Sequence, residues 1–264
     1  MRGAGMFYDP VESTFYAWCV ERLLTSSSAA PYLRDGVVEL GAGSGLPIVE
    51  ALRRCEVPVQ VRGFERDPES FRMASRLVAL KAPPGYSVEP GDFFDQGLDG
   101  PERVAIANPP YLAAPTGDTS APELWGGESG AEVTRRLLSG PFDVLMLMMA
   151  SIADPLGVID HAACSGYLVA DWCARPIPFG RHSREPVVHR RLRELHAEGR
   201  AFSSEAGYLL AGVTLLRAGR RGRLTSVGRE SGPDGFAPDA NTLDPNADVL
   251  RGVMAAGASV RRGP

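Results

Sequence analysis

Apolar positions along the 264-residue chain fall into two alternating rhythms, one of helical and one of strand period. Val11, Phe15, Trp18, Val20, Leu23 and Leu24 predict a helix with one buried face, running from Asp9-Pro10 to Thr25. Asp9 can cap it, Pro10 suits the first helical position, and Glu12 can complete a capping box. Val37-Val38-Glu39-Leu40 reads as a first strand and runs into a glycine-rich turn, Gly41-Ala42-Gly43-Ser44-Gly45. A helix over 46–54 and a strand over 57–64 follow. Pro68 opens a helix to about Lys81, with Phe71, Ala74, Ala79 and Leu80 on its inner face. Strands are predicted at 86–89 and 104–107, and again at 145–150. That last run is wholly apolar, as befits a strand buried on both faces. A helix over 154–164, a long strand over 167–178, a helix over 186–198 and a strand over 208–216 complete the set.

Alternating strands and helices predict an α/β chain with a mostly parallel seven-stranded sheet flanked by helices. The last two strands are the expected place for an antiparallel pair. Three segments are expected: an N-terminal helical lid segment over 1–35, a catalytic domain over 36–219, and a tail over 220–264. The tail is rich in Gly, Pro, Asp and Arg without sustained period and reads as flexible. Within it, 248–256 has the texture of a short helix.

Composition narrows the function classes. An apolar fraction of 44% and a charged fraction of 23% are those of a globular protein, and no run reaches membrane-spanning length. The first residues carry no apolar signal region, so a cytoplasmic location is expected. A net charge of −4 and a pI near 5.7 disfavour a nucleic-acid surface. Local basic runs occur at 190–193 and 220–223. The cysteines, Cys19, Cys55, Cys164 and Cys173, form no CxxC pair, so neither zinc nor a disulfide framework is signalled.

The glycine turn lets backbone pass close to a ligand at the end of a strand. It is not a dinucleotide fingerprint, because Leu46 stands where the third glycine belongs, and no phosphate-gripping G-x-x-x-x-G-K-[ST] loop exists. S-adenosyl-L-methionine (SAM) has no phosphate and needs room rather than a phosphate grip, which suits this turn. Glu65, twenty residues after Gly45, is placed to accept from both ribose hydroxyls, with Asp67 as the alternative. Asp92 is placed to accept from the adenine amino group, with Phe93 or Phe64 walling the ring. Glu39 can anchor the methionine end, either by shaping the turn or through water. Cofactor contacts are therefore expected at Glu39, Gly41, Gly43, Gly45, Glu65, Asp92, Phe93 and Asn108.

Asn108-Pro109-Pro110-Tyr111 leaves the strand at 104–107, about sixty residues after the turn. The Asn108 side chain and the Pro109 carbonyl are acceptors able to hold both hydrogens of a planar –NH2 group, and Tyr111 offers an aromatic face. With Phe64-Glu65-Arg66-Asp67-Pro68 and Gly91-Asp92-Phe93-Phe94, these motifs resemble class I SAM-dependent methyltransferases. Within that class the chain is most similar to HemK/PrmC-type enzymes, which methylate a glutamine side chain of release factors. Gly126-Gly127-Glu128-Ser129-Gly130 and the following Arg135-Arg136-Leu137-Leu138 resemble a segment of that family. The resemblance implies a Rossmann-like fold and a catalytic group of Asn108, Pro109 and Tyr111.

Those enzymes carry a helical N-terminal docking domain, whereas about 36 residues precede the turn here. A small-molecule or peptide-like amide or amine is the expected methyl acceptor. Alternatives are a release-factor-type glutamine, an adenine N6 of nucleic acid, or a SAM-binding interaction module without turnover. The segment at Tyr8-Asp9-Pro10 and its helix read either as a lid or as ordinary helix-to-sheet packing. Tyr8, Trp125, Trp172 and His182 are candidate substrate contacts.

Overall fold

The structure, a computed structural model, describes residues 9–218 and 244–257. Helix α1 (Pro10–Leu24) is followed by β1 (Val37–Leu40), α2 (Leu46–Cys55), β2 (Val61–Glu65), α3 (Pro68–Lys81), β3 (Tyr86–Pro90), the single turn α4 (Phe93–Gln96) and β4 (Val104–Ala107). Then come the short strands β5 (Leu112–Ala113) and β6 (Trp125–Gly127), α5 (Glu132–Leu138), β7 (Val144–Ala150), α6 (Pro155–Cys164), β8 (Tyr167–Pro178), α7 (Pro186–Ala197), β9 (Gly207–Arg217) and α8 (Pro245–Ala256).

Seven strands form one sheet in the order β3-β2-β1-β4-β7-β9-β8. The first five are parallel; β9 runs antiparallel to both neighbours, as the terminal pair was expected to. β5 and β6 pair in a separate two-stranded ribbon. Every residue of β7 is buried, which explains its unbroken apolar run. Apolar side chains form one core cluster on each face of the sheet. Strand order reverses on the two sides of β1, so a crevice opens at the carboxyl ends of β1 and β4.

Asp9 caps α1 as expected, its Oδ1 accepting from the amides of Val11 at 2.8 Å and Glu12 at 3.1 Å. Three sequence expectations about faces are corrected. In α1, Trp18 is on the solvent side, 39% exposed under the Arg22 guanidinium, while Tyr16 and Cys19 join Phe15, Val20 and Leu23 inside. Glu12 closes no capping box with Asp9; it turns into the interior, 4% exposed. In α3, Leu80 is 82% exposed and Ala79 exposed, because this helix covers an edge of the sheet and buries only Ser70 and Ala74 fully. The second strand is also shorter than expected, beginning at Val61.

The reading of 220–264 as a flexible tail does not hold over 244–257; residues 219–243 and 258–264 lie outside the described residues. Helix α8 buries Leu250 and Met254 completely, in the core cluster that includes Val158, Ile159 and Val169. Its approach is directed by the edge strand β8. Asp244 Oδ2 accepts from the Val169 amide at 2.7 Å, and Asn246 donates to the Val169 carbonyl at 3.0 Å. An irregularity in the β8–β9 register sits at Val169/Asp171, so these side chains satisfy strand polar groups at the edge.

Candidate functional site

A cleft of about 830 Å³ lies over the carboxyl ends of the parallel strands. Its floor on one side is the turn from β1 to α2. Gly41 and Gly43 have φ of 70° and 55°, and a Cβ on either would meet nothing within 4 Å. Their glycines therefore serve the left-handed backbone and leave the space above the turn open. Gly45, also left-handed at 70°, does not line the cleft; a Cβ there would face Ala74 and the Tyr86 hydroxyl.

Glu65, at the end of β2, holds this turn in shape. Its Oε2 accepts from the Gly43 amide and its Oε1 from the Asp67 amide, each at 2.8 Å. Burial pushes its carboxyl above the usual range, and the two amides partly offset that. Glu65 lines the cleft, and each oxygen has acceptor capacity left beyond its amide, enough for a pair of hydroxyls. Asp67 also lines the cleft and caps α3, accepting from Ser70 at 2.7 Å. Asp92 lines the cleft and caps α4 through the Phe94 amide at 2.8 Å. Phe93 packs edge-on to Phe64, with centroids 6.1 Å apart, and both touch the cleft.

Glu39 does not reach the cleft, which narrows its expected role to shaping the turn. Its two oxygens accept from the hydroxyls of Tyr16 at 3.1 Å and Tyr86 at 2.9 Å, and it is 1% exposed. Desolvation pushes its carboxyl up to about 8, although both hydroxyls pull it back.

Asn108, Pro109, Pro110 and Tyr111 form the opposite side. The Asn108 Oδ1 atom is buried and accepts no hydrogen bond, an uncommon state for a carbonyl oxygen. The Gly126 segment explains how the loop is held. A Cβ on Gly126 would lie 2.5 Å from the Pro110 carbonyl and 2.7 Å from Tyr111 Cα, and one on Gly130 would strike the Tyr111 carbonyl. Both glycines thus permit backbone-on-backbone packing. Glu132 ties the intervening turn by accepting from the amides of Ser129 and Ala131, each at 3.0 Å.

Tyr111 is not a free-standing ring. Its hydroxyl lies 2.7 Å from that of Tyr208, which donates to Glu12 Oε1 at 3.0 Å. Trp125 and His182 line the cleft as expected, and His182 Nδ1 is 2.9 Å from Glu185 Oε1. Trp172 does not: it lies on β8, partly buried against the second core cluster. Tyr8 lies outside the described residues. Tyr16, expected on the helix read as a lid or as sheet packing, lines the cleft, whereas the cleft positions of Glu12 and Tyr208 and the Tyr86 bond to Glu39 were not foreseen. The available signal was Glu12 and Tyr16, one helical turn apart on the apolar stripe of α1. Carboxylates outnumber arginines among the cleft-lining residues.

No family model matches the chain. A release factor glutamine methyltransferase of Deinococcus radiodurans is 30% identical over 111 residues, a stretch that is 39% of this chain and 39% of that protein. Among solved structures, a proposed RNA methyltransferase from Pyrococcus horikoshii superposes with a TM-score of 0.51 at 15% identity, covering 81% of this chain and 87% of that one. The chain has the class I methyltransferase fold. A TYW2 protein of M. jannaschii in complex with AdoMet is also similar, at 13% identity and TM-score 0.48, over 81% of this chain and 80% of that one. In this methyltransferase fold the cleft occupies the switch point of the sheet, with the glycine turn on one side and the Asn108 loop on the other. No helix among the described residues is long and apolar enough to cross a membrane.

Proposed function

We propose that the protein is a SAM-dependent N-methyltransferase acting on a planar amide or amino nitrogen of a small molecule or peptide-like substrate. The observation that carries this reading is Asn108, whose buried side-chain carbonyl oxygen is unmet and which lines the same cleft as the glycine turn and Glu65. The residues present fit SAM: open space above Gly41 and Gly43, acceptor capacity at Glu65 and Asp92, and aromatic walls at Phe64 and Phe93. When bound, SAM supplies an electrophilic methyl group on a sulfonium.

This chain's own part is positioning. The Asn108 side chain and the Pro109 carbonyl accept the two N–H groups of the acceptor nitrogen, turning its lone pair toward the methyl group. Tyr111 gives its ring as a platform and places π density near cationic charge. A strong general base is not required, since the nitrogen loses its proton after the methyl group arrives. The cleft volume is in the range of small-ligand sites, and its acidic lining opposes a nucleic-acid backbone.

A protein glutamine is the second reading, favoured by the similarity to the Deinococcus radiodurans enzyme and by the packing of Gly126 and Gly130 on the acceptor loop. The test is calorimetric titration with SAM, then a labelled-methyl screen of amides, amino-heterocycles, glutamine peptides and adenine-containing oligonucleotides, with NMR of the product. A methyl group on an amide or amine nitrogen supports the proposal, and the responding class chooses between readings. Methylation at carbon or oxygen refutes it, and SAM binding without turnover across the panel indicates a SAM-binding module.

A further inference from the structure

The cleft contains a chain of three hydroxyl and carboxyl groups that the methyl-transfer mechanism above leaves unused. Tyr111, in the acceptor loop, meets Tyr208 of β9, which donates to Glu12 of α1. Glu12 and Tyr208 are 4% and 2% exposed, so neither is a solvated surface group. Their partners are 196 and 97 positions apart in sequence, and the contacts are products of the fold.

We propose that Glu12 and Tyr208 are positioning residues for Tyr111, setting the tilt of its ring over the acceptor nitrogen and enriching the ring in electron density. This inference rests on the reading of the cleft as an N-methyltransferase site. As a carboxylate Glu12 only accepts, so Tyr208 donates to it and Tyr111, which meets both Glu12 and Tyr208, is the donor on its own side; burial pushes the Glu12 carboxyl up, and the two hydroxyls partly offset that. The tyrosine hydroxyl lies on the axis about which the ring turns. Anchoring it restrains the tilt of the ring while leaving a face toward the cleft. Donation toward these acceptors also polarises the O–H bond and shifts electron density into the ring, which strengthens its negative π face beside a cation.

Packing supports the same role. The rings of Tyr111 and Tyr208 meet edge-on with centroids 5.9 Å apart, and Phe179 backs Tyr208 at 5.6 Å. Tyr16, one turn beyond Glu12 on α1, donates to Glu39 beneath the glycine turn. One helix thereby references both the acceptor loop and the turn that faces it, and alignment between the two halves depends on its placement.

The test reads Tyr111 directly. The full chain is labelled with tyrosine carrying ¹³C at Cζ, and the Tyr111 signal is identified by its loss in Tyr111→Phe. Tyr208→Phe and Glu12→Ala are each expected to move that signal upfield, and the double variant to move it at least as far as either alone. Glu12→Gln, which keeps an acceptor in place, moves it less than Glu12→Ala and guards against a fold defect in the latter. The signals of Tyr16 and Tyr86 stay in place. On an acceptor found in the methyl-transfer screen, kcat falls about tenfold in Tyr208→Phe, the rate equivalent of one ordinary hydrogen bond, with KM for SAM unchanged. A Tyr111 signal unmoved by Tyr208→Phe and Glu12→Gln overturns the inference. Failure of the wild-type chain to bind SAM overturns the methyltransferase reading instead, and the two failures are read from separate experiments.

Discussion

Replacing Asn108 with Ala should separate activity from stability, with opposite signs. The side-chain carbonyl oxygen is buried without a partner, so the folded chain carries an unmet acceptor. Such a group costs about 1–3 kcal/mol relative to its hydrated state. Asn108→Ala removes that cost and loses packing of a half-buried side chain, a comparable amount of opposite sign. Thermal unfolding should therefore shift upward or stay within about 3 °C, since about 1 kcal/mol corresponds to roughly 2–4 °C in a domain of this size. SAM affinity by calorimetry should remain near normal, because Glu65 and the glycine turn are untouched. Turnover should fall about 10²-fold or more, if the lost alignment of the acceptor nitrogen is worth ~3 kcal/mol. A clear loss of stability together with unchanged turnover would refute the reasoning, since it would make Asn108 a structural residue whose acceptor is met in the working protein.

Glu65→Ala should weaken SAM binding by roughly 1.5–3 kcal/mol in calorimetry, through lost acceptors and a loosened Gly43 amide; unchanged affinity would exclude Glu65 from the cofactor site. Burial holds Glu39 up to about 8 in the folded chain, against about 4.5 unfolded, so the folded state binds the extra proton between those values. Its contribution to stability is thus present in full below about pH 4.5 and is lost as pH rises through 8. Glu39→Gln should flatten that part of a pH series of denaturant melts and stabilise the chain most at pH 8 and above. Leu250→Ala should cost about 2–4 kcal/mol in the same melts, because α8 docks through a fully buried Leu250; an unchanged midpoint would mean that α8 does not dock. Gly126→Ala should depress turnover and stability together, since its Cβ would press on the Pro110 carbonyl, and a neutral result would show that the loop yields.

Local chemistry made much of this protein legible in its sequence. A glycine turn after an apolar run must be left-handed backbone at a strand end, and Gly41 and Gly43 are. An Asn-Pro-Pro-Tyr run after β4 must place rigid acceptors at the same end of the sheet, because parallel strands share one direction. The all-apolar run at β7 required burial on both faces for the same reason of geometry. Tertiary structure alone decided which polar groups meet. Periodicity places Glu12 on the inner stripe of α1 without saying that Tyr208 waits there, and it cannot show that Glu39 is held by two tyrosines. It also put Trp18 on the buried face of α1 and Trp172 at the substrate mouth, but packing turned the first to solvent and the second against the core. The C-terminal helix was obscured by the Gly, Pro and Asp around it. Its Ala247, Leu250 and Met254 face gains meaning only against the edge strand whose polar groups Asp244 and Asn246 complete. A side chain's face follows from its neighbours in sequence, but its partner follows from closure of the whole sheet, and burial makes that partner decisive.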